Sequence, residues 1–145
     1  MRVSIRKIKD GKEQVIIECR RVTPDIEDIC SYVRSKGTGL SGTADGQNVE
    51  RFDLQNVYYF EALDEKVFAY TTDKVYEIKA RLYEVEQAYS ACHFIRCSKS
   101  VVLNLMLLES ISPALNGRFC AHMKNGEKLI ISRQYSPAIK QRIMG

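Results

Sequence analysis

Between Asn56 and Ile131 the chain is cut into short runs rich in Val, Ile, Tyr and Phe, and turn-forming residues bound most of them. Asn56-Val-Tyr-Tyr-Phe-Glu61 and Lys66-Val-Phe-Ala-Tyr-Thr71 flank an Asp64-Glu65 turn, and Lys74-Val-Tyr-Glu-Ile78 follows a turn at Asp73. β-Branched and aromatic residues fit a pleated, half-buried surface, so three antiparallel strands are expected here. Phe94 to Cys97, Val101 to Leu103 and Leu107 to Ile111 continue the pattern. Arg118 to Met123 and Lys128 to Ile131 then flank Asn125-Gly126, the strongest short-range hairpin signal in the chain. The fold class this predicts is mainly β, α+β overall.

Helices are expected in three places. Thr23-Pro24 offers an N-cap with proline in the first helical position. Ile26, Ile29, Cys30 and Val33 then recur at helical spacing as far as Gly37, giving a helix over about 24–36. Leu82, Val85 and Tyr89 mark a short amphipathic helix over 81–89, and Ser132 can cap a last helix carrying Tyr135, Ala138 and Ile139. Ahead of these, Val3 to Ile8 and Val15 to Cys19 straddle a Lys9-Asp-Gly-Lys12 turn, which reads as a hairpin. The Gly/Ser/Thr-rich stretch 38–48 reads as either a loose hairpin or a loop. The expected organisation is an extension of hairpin and helix over 1–44 and a second unit over 45–145.

A chain of 145 residues is one domain in size and buries roughly 68–70% of the surface its unfolded form exposes, so it needs no disulfide or metal to build a core. No run approaches 18 apolar residues, and the start alternates charged with apolar residues where a signal peptide would be continuously apolar. A cytoplasmic location is expected. The five Cys, at 19, 30, 92, 97 and 120, have no zinc-knuckle spacing and read as reduced, small apolar residues. Cys92-His93, Cys97, Cys120 and His122 fall in one half of the chain. No nucleophile turn, paired-carboxylate site or phosphate-binding loop accompanies them, so the chain reads as non-enzymatic, with no metal, cofactor or small-molecule substrate.

The net charge of +4 is unevenly spread. Residues 1–22 carry +4, 23–56 and 57–90 carry −3 each, and 91–145 carry +6, with eight Lys/Arg against two Asp/Glu. Basic ends around an acidic middle suit an anionic partner, and solvated surface is the plain alternative. Arg96, Lys99, Arg118, Lys124, Lys128, Arg133, Lys140 and Arg142 are interleaved with Ser98, Ser100, Asn104 and Ser132. A guanidinium fork can bind guanine, an Asn amide can pair with adenine, and Lys and Ser can hold phosphates. No RRM-type aromatic string is present, so Tyr58, Tyr59, Phe60, Phe68 and Tyr70 read as packing residues and not as a base-stacking platform.

Phe94-Ile-Arg-Cys-Ser-Lys-Ser-Val-Val-Leu-Asn104-Leu, with Leu108-Glu-Ser-Ile111 after it, resembles the signature of the LytTR (LytR/AlgR-type) DNA-binding domain, Phe-x-Arg-x-x-x-Ser-x-x-Val/Leu-Asn. Val57-Tyr-Tyr-Phe-Glu61 is similar to that family's opening strand. Lys124-Asn-Gly-Glu-Lys-Leu-Ile-Ile-Ser-Arg-Gln-Tyr135 is similar to its closing Asn-Gly-x-x-Leu-x-Val-Ser-Arg-x-Tyr, and Lys140 stands at its later Lys. The ordered set spans about 45–143.

The resemblance implies an elongated fold of short antiparallel sheets with flanking short helices. It implies sequence-specific binding of duplex DNA, with loops entering the major groove, typically as a dimer on direct repeats, in transcription regulation. It implies base contacts by Asn104 and Arg133 and phosphate contacts by Lys99, Ser100, Lys66 and Lys124. Asn104 has a second reading, as a buried turn-former that satisfies backbone groups. Asp64 and Glu65, next to Lys66, would repel phosphate unless turned away. About 45 residues precede the domain, too few for a phosphorylatable receiver. Many stand-alone members are encoded beside a membrane protein that restrains them, so a regulatory membrane-protein partner is also implied. The competing reading, from the residues alone, is a protein-interaction module whose N-terminal segment, including helix 24–36, regulates a partner while the basic half is merely solvated.

Overall fold

The computed structural model describes residues 1–144. In chain order its elements are α1 (Pro24–Lys36), β1 (Gly39–Thr43), β2 (Val49–Asp53), β3 (Val57–Leu63), β4 (Lys66–Thr71), β5 (Val75–Ile78), α2 (Leu82–Ala88), β6 (Phe94–Ser98), β7 (Val101–Asn104), β8 (Leu108–Pro113), β9 (Phe119–Met123), β10 (Lys128–Ile131) and α3 (Ser136–Met144). Seven strands form one sheet in the order β2-β1-β5-β4-β3-β7-β6, and three form another in the order β10-β9-β8. Every pairing is antiparallel, as short strands joined by tight turns require.

Period-two alternation sends the middle of the large sheet into two separate cores. Phe60 and Val102 point to one face, where they meet Val57, Val67, Phe94 and, from α2, Leu82 and Val85. Tyr59, Val101 and Leu103 point to the other, against Ala121 and Met123 of β9, Ile131 of β10 and Ile139 of α3. All four residues of β7 are buried, which explains its unbroken Val-Val-Leu run: a strand covered on both faces has no solvent side to make polar. Tyr59 stacks on Tyr70 at 4.3 Å between ring centroids, and Phe60 packs tilted on Phe94 at 5.5 Å, so these aromatics pack as the sequence predicts.

α1 forms as expected. The Thr23 hydroxyl accepts from the Ile26 amide, and Asp25 and Glu27 occupy the first turn, where the helix dipole favours negative charge. The 38–48 stretch is a hairpin. The Asp45 carboxylate accepts from the amides of Gln47 and Asn48, contacts that hold its pKa down at about 2. Because β1 pairs with β2 and meets β5 at Thr43↔Glu77, the 44/45 boundary falls in a hairpin turn and not in a linker.

Two expectations are corrected. Residues 1–22 contain no strand, so the N-terminal hairpin ladder does not form. Val3, Ile5, Val15 and Ile16 are exposed, and a two-stranded ribbon with no third strand or helix to cover its apolar side is marginal in water. Nor does Ser132 cap the last helix, which starts four residues later at Ser136. Its amide instead donates to the Cys97 carbonyl at 2.9 Å, tying β10 to β6, and its hydroxyl is buried without a partner.

Candidate nucleic-acid interface

The cations of the C-terminal half divide into those committed within the fold and those left free. Arg96 is committed: its guanidinium holds the Glu86 carboxylate at 3.1–3.2 Å and donates to the Lys99 carbonyl at 2.6 Å. This bracing of the β6–β7 turn from beneath is invisible in sequence, because Glu86 reaches it from α2. Lys140 lies over the Phe119 ring, 3.7 Å from its centroid, as a cation–π contact. Among the described residues, no carboxylate lies within 4.0 Å of Lys99, Arg118, Lys124, Lys128 or Arg133, and all five are exposed.

The sheet brings several of the expected site residues to one end. Lys99 and Ser100 form the tip between β6 and β7, and Lys66 follows the tip between β3 and β4. The two hairpins are neighbours: Glu61 pairs with Val101, and the Ala62 amide donates to the Ser100 carbonyl at 2.8 Å. Arg133 is joined to the same region through the Ser132–Cys97 hydrogen bond, two residues along the chain from Lys99. Its stem lies against the turn at Gly117, whose φ of +74° requires glycine.

Lys124 stands apart, in the turn at the far end of the β9–β10 hairpin from Arg133, since β10 pairs Lys128 with His122 and Ile131 with Phe119. That turn is anchored by the Lys124 amide, which donates to Leu107, and it faces the large sheet at Tyr59. Burial first, and the nearby Glu127 carboxylate second, keep the Tyr59 hydroxyl protonated. At the β3–β4 tip, Asp64 and Glu65 are exposed in left-handed conformation with φ of 49° and 65°. Lys66 is held only loosely, 3.8 Å from Glu77. This tip therefore presents two negative charges beside one positive.

Asn104 is not on this surface. It is 2% exposed, at the opposite end of β7 from Ser100. Its Nδ2 donates to the Val57 carbonyl at 2.9 Å, and its Oδ1 accepts from the Met106 amide at 3.0 Å. Both halves of the amide are occupied, so the turn-former reading describes it and the direct base contact is withdrawn. The physical reason is its place at the end of a strand covered on both faces, where the chain enters a 3-10 turn that needs a cap.

The Cys and His residues are dispersed. Cys97 is buried, which pushes its thiol up to about 12, and burial also raises Cys92. Cys19 is exposed, and the His122 ring shares a 2.8 Å hydrogen bond with Ser112. No three His, Cys, Asp or Glu side chains among the described residues are grouped as a metal site would need. No described helix is long and apolar enough to cross a membrane.

These features define an antiparallel β domain with free cations on clustered hairpin tips. The profile of the LytTr DNA-binding domain matches residues 47–144, and the chain belongs to that family. It is similar to an uncharacterized HTH-type transcriptional regulator of Staphylococcus aureus strain MSSA476, 27% identical over 137 residues, covering 93% of this chain and 92% of the relative. A relative of the same description from strain NCTC 8325 is 28% identical over 136 residues, covering 92% and 91%. Both alignments reach well into the segment ahead of residue 47. In fold, the chain is similar to a LytTr DNA-binding domain from Bacillus cereus, with a TM-score of 0.68 and 24% identity over 73% of this chain and 96% of that one. Strands separate each of the three α-helices of this chain from the next, so a helix-turn-helix pair is absent among the described residues.

Proposed function

We propose that this protein is a transcription regulator that binds duplex DNA sequence-specifically, placing hairpin tips and not a recognition helix in the major groove. The observation that carries the reading is the LytTr domain match over 47–144. The free cations on adjacent tips support it. Arg133 reads a base edge, a role suited to a planar fork on an exposed turn, and Lys99 and Ser100 hold phosphate beside it. Lys124 contacts phosphate farther along the duplex. Lys66 makes the weakest phosphate contact, because Asp64 and Glu65 oppose it. Asn104 acts from within by fixing the turn after β7. Two copies bind a pair of direct repeats, one per repeat, and a membrane protein supplies the regulatory input.

The test is an electrophoretic shift and footprint with the full chain on the DNA upstream of its own gene. The reading expects saturable, salt-sensitive binding and two protected repeats. Absence of saturable binding at low salt contradicts it, and a stable protein partner recovered without DNA would favour an interaction module instead.

A further inference from the structure

Residues 1–22 are out of keeping with the rest of the chain. They carry +4 and are extended yet unpaired, and Val3 and Ile5 stand 85% and 94% exposed. Apolar side chains at this exposure on strand-patterned backbone are left without cover by their own chain. Beside them is an open space of matching character. Val15, Ile17 and Val22 of the segment and Ile26, Cys30 and Val33 of α1 border a cavity of about 720 Å³ that the chain does not fill. At the start of that helix Asp25, Glu27 and Asp28 are exposed, and they belong to the acidic middle of the chain.

We propose that residues 2–8 of one chain occupy this cavity in a second copy, and that the second copy's arm returns the contact, so that the N-terminal segments build a two-fold dimer. Alternation puts Val3 and Ile5 on one side of the extended arm, to enter the apolar space. It puts Arg2 and Arg6 on the other, with Lys7 adjoining, to meet Asp25, Glu27 and Asp28 at the rim. Charge favours this exchange over self-pairing of two arms, since two +4 segments side by side repel while a basic arm on an acidic helix end attracts. A two-fold axis makes each contact twice, which gives a short arm a sufficient interface. The inference deepens the dimer of the proposed function. It is tested without DNA, so its failure and the failure of DNA binding are separable.

The experiment is sedimentation velocity on the full chain, with thermal melting as a check on folding. The wild type is expected to be a dimer at tens of micromolar. Val3→Glu with Ile5→Glu is expected to give a monomer with an unchanged melting midpoint, because both side chains are solvent-exposed within one chain. Arg2→Glu, Arg6→Glu and Lys7→Glu together should weaken dimerisation roughly tenfold or more, the combined scale of several exposed ion pairs. Asp25→Asn, Glu27→Gln and Asp28→Asn should weaken it similarly. Combining the arm reversal with Asp25→Lys, Glu27→Lys and Asp28→Lys should recover it. A monomeric wild type, or a dimer that survives Val3→Glu with Ile5→Glu, overturns the proposal. So does a folded charge-swapped variant that stays monomeric, or arm reversal that lowers DNA affinity while the oligomeric state is unchanged; the last result would make the arm a DNA contact.

Discussion

The stem of Arg133 rests on the backbone of Gly117 so closely that a Cβ at position 117 would meet Arg133 Cδ at 2.9 Å. The glycine thereby sets where the guanidinium projects. Gly117→Ala is expected to cost about 1–3 kcal/mol of stability, since it combines a left-handed backbone with a steric collision. It should also move Arg133 and relax base preference at the position Arg133 reads. Denaturant unfolding together with binding to point-substituted duplexes checks both effects. Loss of stability with base preference intact would show that the packing does not aim Arg133.

Asn104→Ala leaves the Val57 carbonyl and the Met106 amide without partners in a buried place. A loss of about 1–3 kcal/mol in unfolding free energy is expected. Asn104→Asp keeps the acceptor for Met106 but loses the donor to Val57, and should also destabilise. If Asn104 acts only by holding the turn, DNA affinity in the folded fraction falls equally on all sequences. A preference lost at one base pair alone would return Asn104 to the surface.

The β3–β4 tip makes a prediction of opposite sign. Asp64→Asn and Glu65→Gln remove exposed negative charges next to Lys66, so DNA affinity should rise by roughly two- to fivefold per charge at low salt, the scale of an exposed charge interaction. The gain should shrink as salt is added. Unchanged affinity would place this tip away from the phosphates.

His93 gives a pH dependence. Burial, reinforced by the Arg142 cation, lowers its pKa below the usual 6.5, against the opposing pull of Asp28 and Glu27. The unfolded chain therefore binds a proton near pH 6.5 that the folded chain resists. Stability contributed by the neutral ring is complete above that pH and declines as pH falls toward the folded-state value. His93→Asn, suited to the φ of 65° at this position, should flatten the decline just below pH 6.5. Chemical denaturation at several pH values checks this, and identical slopes in variant and wild type would contradict it.

Much of this fold is legible in the sequence because local chemistry decides it. Thr23-Pro24 starts α1, Asn125-Gly126 turns β9 into β10, and the aromatic runs 57–63 and 66–71 pair side by side. What is not legible depends on how many faces a neighbour covers. The Val-Val-Leu-Asn run of β7 looks the same in sequence whether Asn104 ends in solvent or beneath Val57, and only the double burial of that strand decides it. The alternation of residues 3–8 is a sound strand pattern, yet pairing fails where nothing covers the ribbon. Arg96 looks as free as Lys99 until the chain brings Glu86 against it. Arg133 and Lys99 were legible as candidates through the ordered motifs, but their junction through Ser132 and Cys97 was not.

The central claim is that Arg133 reads sequence from a cluster of hairpin tips while Lys99 supplies phosphate affinity. The most direct measurement is the affinity of wild type, Arg133→Ala and Lys99→Ala for one target duplex and its single-base-pair variants, over a range of salt. Arg133→Ala is expected to lose roughly 1–3 kcal/mol of discrimination at one position, whereas Lys99→Ala weakens every duplex alike and lowers the salt slope by about 0.9. Equal losses on every sequence for Arg133→Ala, with discrimination preserved at all positions, would contradict the account.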